Sequence, residues 1–228
     1  MAPFGKIYSY STNLRVIRSL IIADMNGIEL ELPPFTMNET NKTPEFLAKF
    51  PLGKIPAFEG PDGFLLTESI AIATYIAKSG PKADQLLGTD AQAQAKITQW
   101  AAFSETELVS SGAVPISMIL GIAPMDAKRF NDSMAAFDRN VKYLEGALKG
   151  GKKYLVGDKM TLADIMVTSF FWYGFKWLIG AELRKELPNL VAYIQSYAAL
   201  PEFKKYYGEL EMCEDRVTTE TRIDRQST

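Results

Sequence analysis

Every strand signal in this sequence falls before residue 80, and none follows the polar stretch SGPKADQLLGTD. That division limits the fold to a mixed α/β unit followed by a helical one. Lys6 to Tyr10 is short and aromatic, and Ile28 to Leu32 alternates with period two until Pro33-Pro34 stop it. Between them Leu14, Ile17, Leu20, Ile21 and Ile22 recur at helical spacing as far as Asn26-Gly27. Thr43-Pro44-Glu45 opens a short helix with proline at the favoured first position. PAFE and FLLT read as strands joined by the turn Gly60-Pro61-Asp62-Gly63, and Glu68 to Lys78 is helical again. A parallel first pair with an antiparallel hairpin added gives a mixed four-stranded sheet covered by helices over residues 1–80. Beyond the linker at Ser79 to Asp90, Ala91 to Ser110, Asp126 to Lys149, Leu162 to Ile179 and Leu190 to Leu200 read as helices. The expectation is an all-helical domain over 91–215 and a polar tail over 216–228.

The chain contains no histidine and a single cysteine, Cys213, among 228 residues. This removes Ser-His-Asp and Cys-His nucleophilic systems and disulfide scaffolds, and no metal site is expected. Chemistry has to run on hydroxyls, carboxylates, backbone amides or a borrowed group. With 25 basic and 27 acidic residues there is no electrostatic case for nucleic acid or an anionic membrane as partner. The apolar run TLADIMVTSFFWYGFKWLIG contains Asp164 and Lys176 and opens with a helix cap, so it reads as a buried helix and not a membrane span. The cysteine usage and the start MAPFGKIYSY suggest a cytoplasmic protein.

Three local patterns carry information. Thr161 and Asp164 have capping-box spacing, which assigns Asp164 to folding and not to catalysis. Pro56 begins a strand, where a missing amide proton is tolerated, and one hairpin later Glu68-Ser69 begin a helix. An outward-facing Ile55 backbone could pair with a peptide-like ligand whose far carboxylate rests on the Ser69 helix end. Finally, Ser9, Tyr10, Ser11 and Thr12 crowd the junction of the first strand and first helix. Two readings are open: Ser11, Thr12 and Asn13 serve as cap residues for the helix that follows, or one of the hydroxyls donates a hydrogen bond to a thiolate.

Together these residues resemble the cytosolic glutathione transferases, over nearly the whole chain. TPEFLAKFPLGKIPAFEGPDGFLLTESIAIATYIA, QWAAFSETEL and YLVGDKMTLADI are closest in pattern to the transferase-like domain of the gamma subunit of translation elongation factor 1. The resemblance implies a thioredoxin-like first domain and an electrophile pocket lined by the helical domain. It implies that Pro56 is a cis-proline and that Ile55 pairs by backbone with the cysteinyl part of glutathione. Glu68 and Ser69 then hold the γ-glutamyl end, while Lys54, with Asn41 or Lys42, meets the glycyl carboxylate. Ser11 stands at the spacing of the catalytic serine of theta- and delta-like transferases, where the elongation-factor branch usually has proline. Tyr10 is the alternative donor to the sulfur. The implied activity is conjugation of glutathione, a co-substrate with no further cofactor, to small apolar electrophiles by a homodimer. The competing reading is a non-catalytic interaction domain with translation-factor subunits as partners.

Overall fold

The structure, a computed structural model, describes residues 3–221. Strand β1 (Gly5–Tyr8) pairs parallel with β2 (Leu30–Glu31) and antiparallel with β3 (Ala57–Glu59), which pairs antiparallel with β4 (Leu65–Leu66). The order β2-β1-β3-β4 is the mixed four-stranded sheet expected of a thioredoxin-like domain. The pairing is shorter than the sequence patterns, because the alternation in Ile28 to Leu32 continues past the two residues that bond. Period two separates the faces: Ile7 and Phe58 enter the main core, whereas Ala57 packs with Phe46, Phe50 and Tyr8 in a smaller one. Gly5 is needed for close approach, since a Cβ there would stand 2.4 Å from the Phe58 ring.

Helices α1 (Leu14–Asn26) and α3 (Ser69–Lys78) pack together on the main core, and α2 (Pro44–Lys49) covers the other face. Asn13 caps α1 by accepting from Arg15 N, and Thr43 caps α2 by accepting from Phe46 N. The linker is not purely irregular: it contains α4 (Ala83–Leu87), whose Leu86 is fully buried. Two adjacent leucines in a short polar window give no readable period.

The second unit is helical. Helix α5 (Ala91–Phe103) continues through a π-helical segment, Ser104–Val109, into α6 (Ser110–Ile119). The sequence reading ended this rod at Ser110; the fold continues it to Ile119 and carries Pro115 inside the helix. Next come α7 (Ala127–Ala147), α8 (Leu162–Thr168) and α9 (Phe171–Tyr173), then a second π-helical segment, Gly174–Leu178. The single helix expected over 162–179 is thus divided. Helices α10 (Ala181–Lys185), α11 (Pro188–Ala198) and α12 (Pro201–Tyr207) follow, of which α10 and α12 were not foreseen. Of the expected tail, residues 222–228 lie outside the described residues. Before them, Val217 is buried and donates its amide to Trp177 O, and Arg216 pairs with Asp138.

Asp164 is at the centre of the helical unit. Its Oδ2 accepts from Thr161 N at 2.7 Å and Thr161 Oγ1 at 3.1 Å, and its Oδ1 from Leu155 N at 2.8 Å and Tyr193 OH at 2.6 Å. Burial pushes its carboxyl above the ordinary range while these donors pull it back. Among the described residues no helix is long and apolar enough to cross a membrane.

Candidate active site

A cleft of about 800 Å³ opens between the loop leading into β3, the corner between β4 and α3, and the helical unit. Lys54, Ile55, Pro56, Glu68 and Ser69 all line it, joined by Arg15 from α1 and by Glu105 and Thr106 from the first π-helical segment. The Ile55-Pro56 peptide is cis. The sheet ladder begins only at Ala57, opposite Tyr8, so the Ile55 backbone stands outside it.

Glu68 immediately precedes α3 with φ 66°, and its side chain makes no capping hydrogen bond. A left-handed conformation at a non-glycine residue costs about 1–3 kcal/mol and tends to gather at binding sites. The amides of the first turn of α3 and the positive end of its dipole are left to attract an anion. Glu68→Gly should relieve the strain, partly offset by the greater entropy glycine gives the unfolded chain, for a net gain on the order of 1 kcal/mol. A urea midpoint reads this directly.

Asn41 and Lys42 do not line the cleft. Asn41 is buried, accepting from Asn38 N at 2.7 Å and donating to Gly53 O at 2.8 Å. Its amide therefore anchors the loop that carries Lys54. Lys42 is exposed beside that loop.

At the strand–helix junction the cap is Asn13, whose Nδ2 also donates to Ser9 Oγ at 3.1 Å, committing the buried Ser9. Ser11 and Thr12 form an exposed turn, and Tyr10 is 45% exposed. Among the described residues the Ser11 hydroxyl has no hydrogen-bond partner. Ser11 itself does not line the cleft, whereas Arg15 in the first turn of α1 does.

The sequence reading missed the polar core of the site. Arg18 is completely buried and donates to Glu105 Oε1, Ser169 Oγ and, at 3.0 Å, Ser104 Oγ. Arg15 Nε donates to the other Glu105 oxygen at 2.9 Å. Helix α1 is thereby tied to the π-helical segment and to the residue that follows α8. Burial pushes the Arg18 guanidinium down from its ordinary range, and Glu105 raises it. Burial pushes Glu105 up, but Arg18 and Arg15 outweigh it and hold the carboxyl below the ordinary range. A depressed carboxylate contributes stability that is present above its unfolded pKa and lost as pH falls through the folded value. The clamp should therefore weaken below about pH 4.5, the ordinary value for this carboxyl. Glu105→Gln should flatten that part of the stability-versus-pH curve; an unchanged acid limb would rule the clamp out as its source.

Residues 3–78 match the family model described as "Glutathione S-transferase, N-terminal domain", and residues 106–201 match its C-terminal counterpart. The glutathione S-transferase-like protein LUC7 of a Fusarium species is 44% identical over 91% of this chain and 94% of its own length. This chain belongs to the glutathione S-transferase family. A second relative, the glutathione S-transferase-like protein FUS3 of Gibberella moniliformis, is 39% identical over 95% of this chain and 98% of itself. Elongation factor 1-gamma-A of Xenopus laevis is 35% identical over 92% of this chain, but only 48% of that protein is covered. Among solved structures, the GST-like domain of elongation factor 1-gamma from Saccharomyces cerevisiae superposes with TM-score 0.80 at 28% identity, covering 95% and 99% of the two chains. A delta-class glutathione transferase of Nilaparvata lugens superposes with TM-score 0.74 at 25% identity, covering 89% and 92%. The thioredoxin-like and helical units of this chain are those of the family fold.

Proposed function

We propose that this protein joins the thiolate of glutathione to small apolar electrophiles. The observation that carries the reading is one cleft into which Lys54, the unladdered Ile55 backbone and the uncapped start of α3 all converge. These match a tripeptide with a carboxylate at each end: Ser69 and Glu68 for the γ-glutamyl end, Ile55 for the cysteinyl backbone, Lys54 for the glycyl carboxylate. Asn41 supports this through the Gly53 loop. Glutathione brings the sulfur as co-substrate, so no resident cofactor is required, and the family resemblance suggests a homodimer.

Ser11 is assigned as donor to the sulfur. A free thiol titrates near ~8.5, and lowering it by about two units takes roughly 2.7 kcal/mol of preferential thiolate stabilisation. A hydrogen bond to a charged group supplies about 1.5–3 kcal/mol and a helix N-terminus roughly 0.3–2. Together they suffice without a histidine base. The thiol proton passes to water and the sulfur lone pair forms the new S–C bond. In a substitution the leaving group departs with its bonding pair; in an addition the neighbouring carbon takes a proton.

The similarity to elongation factor 1-gamma favours a second reading, a domain that keeps the fold for protein contacts. The ultraviolet thiolate band of bound glutathione, titrated with pH, separates the two. A thiol pKa well below that of free glutathione supports the transferase; no binding, or an unshifted thiol, supports the interaction domain.

A further inference from the structure

The helical wall of the cleft is polar where an apolar electrophile alone would call for hydrocarbon. It presents Glu105 and Thr106, with Arg15 opposite. Both Glu105 oxygens are engaged: one accepts from Arg15 Nε at 2.9 Å and the other from the buried Arg18. Two guanidinium charges on one carboxylate leave one positive charge in excess. Arg18 spends its donors on Glu105, Ser104 and Ser169. Arg15 does not: its side chain is 36% exposed, and among the described residues neither terminal nitrogen has a hydrogen-bond partner. Half of a planar fork thus remains unused in the cleft, the geometry that suits a carboxylate.

The other charges around the cleft do not compete for this role. Lys49 is paired with Glu59 at 2.6 Å. Lys54 and Glu68 lie with the loop before β3 and the corner before α3, the parts assigned above to glutathione. Apolar surface is also present, from Met37, Phe50, Leu52 and Leu65.

We infer that the electrophile taken by this cleft has an apolar body and a carboxylate, and that Arg15 recognises the carboxylate. This refines the transferase reading above and rests on it. Arg15 is a specificity residue here; the sulfur chemistry stays with Ser11.

The test uses equilibrium binding of product-like conjugates, so turnover is not needed. S-butylglutathione and its ω-carboxylate are titrated into the intact protein by calorimetry, alongside the S-hexyl pair and free glutathione. The wild type should bind the carboxylated member of at least one pair roughly ten- to a hundredfold more tightly, the value of a charge-assisted contact. Arg15→Gln should abolish that preference, and Arg15→Lys should keep part of it. Equal affinity within both pairs would overturn the inference, as would a preference that survives Arg15→Gln. So would an equal loss for glutathione and every conjugate in that variant, which would place Arg15 on glutathione itself. If the folded wild type binds neither glutathione nor any conjugate, the transferase reading falls too. Binding of the S-alkyl compounds without carboxylate preference removes only the present inference.

Discussion

Ser11→Ala should reduce the rate of glutathione conjugation at neutral pH by roughly 4- to 40-fold, the fall in thiolate fraction when a thiol held at ~6.5 loses about 1.5–3 kcal/mol from a hydrogen bond to a charged group. The thiol of bound glutathione should rise by about one to two pKa units in parallel. Glutathione affinity should barely change, because the two ends of the tripeptide and its cysteinyl backbone are assigned to Glu68, Ser69, Lys54 and Ile55 and not to Ser11. The sign of the pH dependence is fixed by the same argument. A hydroxyl that stabilises thiolate matters most where the free thiol is protonated, so the deficit should shrink as pH rises towards ~8.5 and above. A deficit that stays constant across that range would sink the thiolate role. Tyr10→Phe is the control: the exposed tyrosine is the neighbouring hydroxyl, and a loss confined to that variant would move the assignment to it.

The largest stability effect is expected at Asp164, far from any chemistry. Asp164→Ala leaves the Leu155 amide, the Thr161 amide and hydroxyl, and the Tyr193 hydroxyl without their acceptor. Tyr193 is buried, so its hydroxyl finds no water in exchange. Each buried polar group left unsatisfied costs about 1–3 kcal/mol, and the four are coupled through one carboxylate. A total on the order of 4 kcal/mol is expected, a large part of the stability of a typical domain. Denaturant unfolding should show the midpoint falling sharply. A loss below ~1 kcal/mol would mean that the cap does not organise the helical unit.

Short-range patterns in the sequence carried much of this architecture. The Thr161–Asp164 spacing is a local motif, and its hydrogen bonds span three residues. Pro56, Glu68 and Ser69 were readable because a proline at a strand start and a polar pair at a helix start mean something wherever they occur. Arg18 and Glu105 were not, because they are 87 positions apart and each looks like an ordinary surface charge in its own helix. A signal did exist: Arg18 stands within Val16, Ile17, Ser19, Ile21 and Ile22, on a helix buried almost all round. A charge in such a place needs a partner, though the sequence does not name it. Asn41 shows the reverse limit, since a type suited to binding a carboxylate is consumed in tethering Gly53.

The π-helical segment Ser104–Val109 makes the spacing of the chain a functional quantity in its own right. A π turn is an α-helix holding a surplus residue, and one residue corresponds to a rotation of about 100°. Ser104 and Glu105 face Arg18 on one side of that surplus, while Leu108 and Ser111 are buried on the other. A deletion of a single codon inside this segment could therefore spare the side chains named above and still turn the two halves of the rod out of phase. Inheritance of this site depends on a count of residues as well as on their identities, and a substitution scan would never detect that dependence.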